Sequence, residues 1–598
     1  MSVLRVLRKI VVGLFAIVGG FVVVGFIAAF WLGSLAPERK PVPDRNAVLT
    51  LELGQPIKER AQGGAFPFGP FGRATTLRDL VTGLEAAAED ERIKGLVVHV
   101  GSGPLGMAYT QEIRDAVKEF RSKGKFAVAF AETFGEAGNG NTHYYLATAF
   151  EEIWLQPSGD VNLTGFALEQ PFLVDTLTAM GVTAQLDQRE EYKGLADTFT
   201  KSSMPAPIRE NLQRLMDSWL EQVAQGMAER GKFDAAAARG LIDRGPFLAA
   251  QAQSAKLVDR LGYWDELTQA IDDRAGEGAT WFPLHDYAAS LEQPEGVDRI
   301  AVVYGLGPVT LVTGGQDALF GPALMESSAV ASAIRDAVDD PAIRAIVFRV
   351  DSPGGSYVAS DTIWREVQRG RDLGKPIIVS MGEVAASGGY FVAAPAAKIV
   401  AQPATITGSI GVASGKVVFA GLWDILRLHW DGVKAGANAD LDSPHRLYTA
   451  EGWNRLQGAL DRVYTDFTQK VAAGRNLSID KVRNVAKGQV WSGRDARERG
   501  LVDELGGYSV AIRLAREAAK IPPAARVSVE EYPPPESPLE RLFEQAMSGG
   551  EVRAAEAQRL STLLRIADWL EPIVAAIGPA DGSAAAPRLV APVQPIGN

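Results

Sequence analysis

One internal repeat limits the folds open to this chain more than any other feature of its sequence. ERIKGLVVHVGSG (91–103) aligns with PAIRAIVFRVDSP (341–353) at a shift of 250 residues, and EEIWLQP (151–157) aligns with AKIVAQP (397–403) at a shift of 246. A shift that drifts slowly is typical of a duplicated domain, whereas solenoids repeat every ~20–50 residues. Because 598 residues are also too many for one hydrophobic core, we expect two tandem copies of one domain.

Within each copy, short β-branched runs alternate with helical patterns. In the second copy, IRAIVFRV (343–350) and KPIIVSM (375–381) are typical of buried strands, and SDTIWREVQRGRDLG (360–374) predicts the helix between them. Strands that alternate with helices indicate parallel βαβ units with right-handed crossovers. The expected fold class is therefore α/β with parallel sheets, and longer helices are predicted at 203–231 and 449–475.

The N-terminus predicts a membrane anchor. Arg5, Arg8 and Lys9 precede 23 residues without a charge, at 10–32, and ~20 apolar residues suffice to cross a bilayer core of ~30 Å. Basic residues before the span favour a cytoplasmic N-terminus, with the rest of the chain beyond the membrane. A cleaved signal peptide and a buried helix of a soluble core are the alternatives. The length of the apolar run and the lack of a clear small-residue cleavage site disfavour both.

The boundaries of the predicted segments follow from these patterns. They are a cytoplasmic N-terminus at 1–9, a transmembrane anchor at 10–32, a linker at 33–45, a first domain at 46–290, a second domain at 296–525 and a C-terminal extension at 526–598. A Gly/Pro/Phe-rich stretch at 61–72 is expected to be irregular. The extension is Pro-rich at its start, with a candidate amphipathic helix at 551–577, and its last 20 residues are typical of disorder.

Composition excludes several classes of function. The formal net charge is −11, which disfavours a nucleic-acid partner bound through its phosphates. The chain has no cysteine, so disulfides, thiol catalysis and cysteine-bound metals are excluded. The sequence also contains no H-E-x-x-H pattern or other metal-binding cluster. It therefore indicates neither a metal nor a cofactor.

Three glycine-bearing turns follow consecutive predicted strands of the second copy. They are DSPGGS (351–356), AASGGY (385–390) and TGSIG (407–411). Because sites gather at the carboxyl ends of parallel strands, we expect these turns to converge. DSPGGS offers backbone N–H groups suited to an oxyanion hole. AASGGY places Ser387 at a strand-to-helix turn, where small neighbours leave room for a substrate backbone.

A serine nucleophile requires a base that accepts its proton. None of the five histidines lies beside a carboxylate in a recognisable triad setting, and no G-x-S-x-G pattern is centred on Ser387 or Ser409. The remaining option is a lysine whose pKa falls on burial, so that the neutral amine accepts the proton. The residues alone do not single out that lysine.

The motifs DSPGG, ASGGY and TGSIGV resemble the signature of the signal peptide peptidase A (protease IV) family, and the resemblance extends over about 46–520. Members are membrane-anchored serine proteases with a Clp-protease/crotonase-like fold, so the resemblance implies two such domains in tandem. It implies that Ser387 is the nucleophile and that Lys193, in REEYKGLADTF, is the general base. It also implies that Ser409 holds the lysine by a hydrogen bond.

The same resemblance implies an endopeptidase that degrades cleaved signal peptides and other apolar peptides at the membrane. Its implied partners are those peptides and membrane lipid, and its implied assembly is a homotetramer. The implied location is the cell inner membrane, with one span and periplasmic catalytic domains. We expect backbone N–H groups around Gly354, Gly355 and Gly388 to hold the oxyanion, with no metal or cofactor involved.

The repeat supports a composite site without reference to the family. At the shift of 246 residues, Ser387 falls opposite Asn141 and Lys193 falls opposite Ala439. Each copy has therefore lost what the other retains, which favours one active site built across two degenerate copies. Lys201 and Lys434 lie close enough in sequence to be competing candidates for the base.

Two other classes of protein remain as alternatives. A crotonase-like acyl-CoA enzyme would use the same fold and an oxyanion hole with a carboxylate as acid and base. A non-catalytic membrane scaffold would tolerate the loss of the Ser–Lys pair. The predicted anchor disfavours the first alternative, and the intact serine and lysine disfavour the second.

Overall fold

The computed structural model of the protein describes residues 43, 45–60, 76–136, 138–291, 297–311 and 324–534. The predicted anchor at 10–32, the irregular stretch at 61–72 and the candidate helix at 551–577 lie outside these ranges. Within them, no helix is both long and apolar enough to cross a membrane.

The first half of the chain, residues 45–291, is built around one parallel sheet. The strands of this half are β1 (Ala47–Glu52), β2 (Ile93–His99), β3 (Phe126–Ala131), β4 (Glu152–Leu155), β5 (Asp160–Val161), β6 (Thr183–Arg189), β7 (Phe247–Leu248), β8 (Arg260–Leu261) and β9 (Thr280–Pro283). The parallel sheet has the order β8-β4-β3-β2-β1-β9. β5 and β7 pair separately and antiparallel.

The second half, residues 297–534, repeats this arrangement. Its strands are β10 (Asp298–Leu306), β11 (Val309–Thr310), β12 (Met325–Glu326), β13 (Ile343–Ser352), β14 (Ile377–Ala386), β15 (Lys398–Ala401), β16 (Ile406–Gly408), β17 (Val412–Val418), β18 (Val490–Ser492), β19 (Glu504–Leu505) and β20 (Val527–Glu531). The parallel order β19-β15-β14-β13-β10-β20 matches the first sheet strand for strand. β16 pairs with the end of β14, and β18 pairs antiparallel with β16. β20 lies beyond the predicted boundary at 525, because the chain pairs with β10 before it reaches the prolines at 533–535.

The helices connect these strands in the predicted alternation. They are α1 (Leu77–Glu89), α2 (Met107–Ser122), α3 (Asn141–Ala147), α4 (Val174–Ala179), α5 (Asp197–Thr200), α6 (Ala206–Ala228), α7 (Ala235–Ile242), α8 (Ala249–Ser254), α9 (Trp264–Ala275), α10 (Leu284–Ser290), α11 (Ser327–Asp339), α12 (Tyr357–Asp372), α13 (Gly388–Ala393), α14 (Ala420–Ile425), α15 (Ala450–Arg475), α16 (Ile479–Ala486), α17 (Gly493–Glu498) and α18 (Tyr508–Ala518). The two long helices predicted at 203–231 and 449–475 are confirmed as α6 and α15.

The second sheet is buried on both faces. Alternate residues of its strands enter two different cores: Val302 and Val347 pack with α18, whereas Val303 and Phe348 pack with α11 and α12. A parallel sheet covered by helices on both sides requires strands that are apolar at nearly every position. This explains why IRAIVFRV shows a continuous apolar run interrupted only by arginines.

The two halves meet over a shared junction. Ala404 and Ile406 of the second half belong to the core of the first, and the indole N–H of Trp219 donates to the Ala404 carbonyl at 2.9 Å. β6 and β17 form an antiparallel ribbon, paired from Thr183 with Val418 to Arg189 with Val412. One strand of this ribbon comes from each half, so the ribbon connects them directly.

Candidate active site

Ser387 lies where β14 ends and α13 begins, at the strand-to-helix turn predicted for AASGGY. Its φ is 54° and its ψ is −116°, a conformation that residues other than glycine rarely adopt. Its backbone N–H donates to the Gly408 carbonyl at 2.9 Å, which fixes the turn against the end of β16. α13 ends before Pro395, as the missing N–H of proline requires.

Lys193 comes from the first half and reaches this turn. It follows β6, whose pairing with β17 places it beside the TGSIG turn. Its Nζ lies 2.9 Å from Ser387 Oγ, 3.1 Å from Ser409 Oγ and 3.0 Å from the Ser409 carbonyl oxygen. The structure thus brings together all three side chains that the family resemblance singled out.

Burial changes the acidity of the Lys193 amine. It lowers the pKa of Lys193 from its ordinary value of 10.5 to about 7, because a charged ammonium loses hydration in the protein interior. The two competing lysines are placed elsewhere: Lys201 is exposed, and Lys434 pairs with Asp440. Of these three lysines, Lys193 alone is a hydrogen-bond partner of Ser387 in the part of the chain that the structure describes.

Glycine backbone surrounds the Ser387 turn. A Cβ on Gly354 would lie 2.7 Å from the Gly388 nitrogen, and a Cβ on Gly388 would lie 3.1 Å from the Gly355 nitrogen. Gly354 and Gly355 have φ values of 101° and 152°, which favour glycine. The Gly354 N–H donates to Ser352 Oγ at 3.2 Å. Within the described ranges, the N–H groups of Gly355 and Gly388 have no such acceptor, so these two are available to a ligand oxygen.

The counterpart of Ser387 in the first half has a structural role. Asn141 is the first residue of α3 and is fully buried. Its Oδ1 accepts from the backbone N–H groups of Thr164 and Gly165 at 3.1 and 3.4 Å, and its Nδ2 donates to the Gly165 carbonyl at 2.5 Å. The Asn141 side chain therefore connects α3 to the loop at Thr164 and Gly165, where Gly165 is the counterpart of Gly411. Ala439, the counterpart of Lys193 in the second half, lies in an exposed turn.

A buried charged cluster beside this site was not predicted from the sequence. Arg349 is fully buried, and it donates to Glu59 Oε1 at 2.7 Å and to Glu112 Oε2 at 3.0 Å. Asp351 and Glu383 lie next to this group, and burial raises the pKa of each. Asp351 is the first residue of DSPGGS and Glu383 lies two residues before AASGGY, so their places beside the glycine motifs were the available sequence signal.

Comparisons with known proteins agree with this architecture. A family model described as Peptidase family S49 matches residues 119–277 and 369–522, one segment in each half. The Arabidopsis thaliana protein named "Serine protease SPPA, chloroplastic" is 30% identical over 508 residues, which cover 83% of this chain and 72% of that protein. "Protease 4" of Salmonella typhi is 32% identical over 462 residues, or 75% of this chain and 72% of that protein. "Protease 4" of Haemophilus influenzae is 31% identical over 462 residues, or 73% of this chain and 72% of that protein.

The α/β architecture, the serine at its strand-to-helix turn and these matches define a serine peptidase. More specifically, the chain belongs to peptidase family S49. The resemblance to protease IV that was predicted from DSPGG, ASGGY and TGSIGV is thereby confirmed.

Proposed function

We propose that the protein is a membrane-anchored endopeptidase that works through a Ser387–Lys193 dyad. The observation that carries the proposal is the separation of 2.9 Å between Lys193 Nζ and Ser387 Oγ. It is supported by the pKa of about 7 that burial gives the amine. At neutral pH, a substantial fraction of the lysine is then uncharged and able to accept a proton.

The three partners of the amine fit its neutral form. An uncharged amine has two N–H donors and one lone pair. In the proposed neutral state the two N–H groups donate to the Ser409 carbonyl and Ser409 Oγ, and the Ser387 hydroxyl, 2.9 Å from Nζ, donates to the lone pair. In this role Ser409 orients the lysine toward the nucleophile.

The proposed reaction has two stages. Ser387 Oγ bonds to the scissile carbonyl carbon as its proton passes to Lys193, and the oxyanion is held by the N–H groups of Gly355 and Gly388. The C–N bond then breaks, and Lys193 gives the proton to the leaving amine. Water next attacks the acyl-enzyme with Lys193 again as base, which releases the carboxylic acid and restores Ser387.

We further propose that the substrates are cleaved signal peptides and other apolar peptides. Exposed apolar side chains lie beyond the ribbon that leads away from the site, among them Met180, Ile425 and Trp430. Such side chains suit an apolar ligand. An anchor at 10–32 would hold the site in the periplasm beside the inner membrane, and a homotetramer remains the assembly proposed from the family resemblance.

Labelling and cleavage measured together test the dyad. Wild-type protein, Ser387→Ala and Lys193→Ala are each treated with a serine-directed fluorophosphonate and assayed on an apolar fluorogenic peptide. Wild type is expected to be labelled and to cleave, whereas both variants fall by at least ~10³-fold, as removal of a nucleophile or its base does.

A matched lysine serves as the control. Lys201→Ala removes an exposed lysine eight positions along the chain, and it is expected to keep wild-type rates. If Lys193→Ala labels and cleaves like Lys201→Ala, the dyad assignment is wrong. If wild type is labelled on a serine other than Ser387, the nucleophile assignment is wrong.

A further inference from the structure

The strand that leads to Ser387 contains a bulge. Val350 of β13 pairs with Met381 of β14, and Ser352 pairs with Ala385, so three residues of β14 face one residue of β13. Bulges of this kind redirect a strand and are common beside active sites. Here the bulge, residues 382–384, ends three positions before Ser387 and therefore sets the direction in which the strand reaches the turn.

Asp351 of the second half holds one side of the bulge and also contacts α2 of the first half. Asp351 Oδ1 accepts from the Val384 N–H at 3.0 Å, and Asp351 Oδ2 accepts from the hydroxyl of Tyr109. Gly382 leaves little room, because a Cβ there would lie 2.9 Å from Asp351 Cβ. The bulge is thus tightly packed against β13.

Its central side chain crosses to the first half. Glu383 Oε1 accepts from the backbone N–H of Tyr109 at 2.6 Å, and Glu383 Oε2 accepts from that of Ala108 at 3.1 Å. These are the second and third residues of α2, whose N-cap, Gly106, has no side chain with which to bind them. The first N–H groups of a helix have no partner within the helix and need an oxygen acceptor, so Glu383 caps α2 from the other half.

The contact depends on glycine at the helix start. A Cβ on Gly106 would lie only 2.1 Å from Glu383 Oε1. Gly106 ends the first-half segment GSGPLG, which stands where the second half has DSPGGS. The Glu383 carboxyl group therefore lies against the first-half segment that corresponds to the glycine-rich turn of the second half.

We propose that Glu383 is a positioning residue, which docks the strand end carrying Ser387 onto the N-terminus of α2 and so holds the serine in register with Lys193. The two reacting side chains belong to different halves, and their alignment depends on contacts that cross the junction. The β6–β17 ribbon fixes the lysine side of the site, and the Glu383–α2 contact fixes the serine side. This inference rests on the proposed Ser387–Lys193 dyad.

The burial and hydrogen bonds of Glu383 favour one fixed position of its side chain. Burial raises the pKa of Glu383 to about 8, against the opposing effect of the two amide donors, and the nearby carboxylate of Asp351 raises it further. A carboxyl group placed in such surroundings is costly unless its hydrogen bonds are satisfied. The α2 amides satisfy them in the observed position.

Two substitutions from opposite halves test the proposal. Glu383→Ala removes the carboxylate, and Gly106→Ala places a methyl group where that carboxylate lies. Both are expected to lower kcat on a peptide substrate and the rate of fluorophosphonate labelling together, by on the order of 10–100-fold, because a small displacement of a nucleophile has a large effect on rate. KM is expected to stay within about threefold of wild type, since substrate contacts are retained. Glu383→Gln keeps one acceptor oxygen and is expected to recover part of the lost kcat.

Two control substitutions separate positioning from loss of stability. Arg214→Ala breaks another contact between the halves, the ion pair with Asp495 at 2.8 Å, and Gly124→Ala strains the opposite end of α2, where φ is 81°. Both controls are expected to lower the thermal midpoint without the fall in kcat. Equal kcat for folded Glu383→Ala and wild type would overturn the positioning role, as would a loss of kcat in Arg214→Ala of the same size. An inactive wild type would instead overturn the proposed dyad.

Discussion

At the scale of single residues, the proposed dyad predicts that the titration of Lys193 sets how activity depends on pH. Burial lowers the pKa of Lys193 to about 7, and only the neutral amine accepts the proton of Ser387. The protonated fraction decreases as pH rises, so kcat/KM is expected to increase with pH through about 7 and to level off above it. The measurement is kcat/KM on a neutral fluorogenic peptide between about pH 5.5 and 9.5, a range that brackets the lowered pKa of about 7.

The rate of fluorophosphonate labelling gives an independent profile, because it reports activation of the serine without a peptide substrate. Both profiles are expected to share one midpoint. A midpoint near the ordinary lysine value of 10.5, or a profile that is flat with pH, would contradict the assignment of Lys193 as base.

Gly355 provides a second prediction at this scale. A Cβ at this position would lie 2.2 Å from the Val309 carbonyl oxygen, so Gly355→Ala must displace the backbone N–H that is proposed to hold the oxyanion. We expect kcat to fall by ~10²-fold, as for other lost oxyanion donors. The measurement is kcat and KM on the same peptide.

Gly374→Ala is the matched control for Gly355→Ala. Gly374 has a φ of 76° but open space around it, so this substitution introduces backbone strain of about 1–2 kcal/mol without a clash. It is expected to lower the free energy of unfolding and to leave kcat unchanged. A similar kcat for the two variants would show that Gly355 serves only the local backbone.

At the scale of secondary structure elements, the β6–β17 ribbon carries the lysine to the serine. Gly415 of β17 has a φ of 149°, and a Cβ there would lie 2.1 Å from the Gln185 carbonyl oxygen of β6. Gly415→Ala must therefore spread the ribbon. We expect kcat to fall by on the order of tenfold or more, because Lys193 then loses its alignment with Ser387. The measurement is kcat beside the labelling rate.

Ser414→Ala tests the neighbouring residue of the same strand, which is exposed. It is expected to keep wild-type kcat. If Gly415→Ala does so too while remaining folded, the ribbon does not control the position of the lysine.

The elements differ in how far the sequence predicted them. Strands such as β13 and the helix α12 were predicted correctly, because burial on both faces requires continuous apolar runs and a helix on one face requires a 3.6-residue period. The ribbon was not predicted, because its strand β6 (Thr183–Arg189) is only half-buried and mixes polar with apolar residues. The bulge at 382–384 also lacks a sequence signal, since its geometry depends on a glutamate binding a helix 275 residues away.

At the scale of the whole molecule, the duplication was visible in the sequence. Which half contributes which side chain to the candidate site was only partly visible. The exchange of Ser387 for Asn141 predicted a composite site, and the structure does bring Ser387 and Lys193 together. The burial that lowers the pKa of Lys193 depends on packing between segments far apart in sequence. The hydrogen bonds of Asn141 to Thr164 and Gly165 depend on such packing too. Sequence pattern and spacing do not predict these surroundings, because they are formed by residues distant along the chain.

The last prediction concerns which chains supply the two halves of one site. Lys193 and Ser387 of the same chain lie 2.9 Å apart, so each chain is expected to form a complete site. Co-expressing Lys193→Ala chains with Ser387→Ala chains should then restore no activity, even if mixed oligomers form, because every chain lacks one member of its own pair. The measurement uses different affinity tags on the two chains, sequential purification to isolate mixed assemblies, and cleavage and labelling assays on that fraction.

Mixtures of wild-type and Ser387→Ala chains provide the reference. Their activity should decrease in proportion to the wild-type fraction, since sites within single chains act independently. Labelling of Ser387 in the Lys193→Ala chain, seen only in mixed assemblies, would instead mean that a neighbouring chain supplies the lysine. In that case the ribbon and the Glu383–α2 contact would have to form between chains, and the junction described within one chain would be an interface between two.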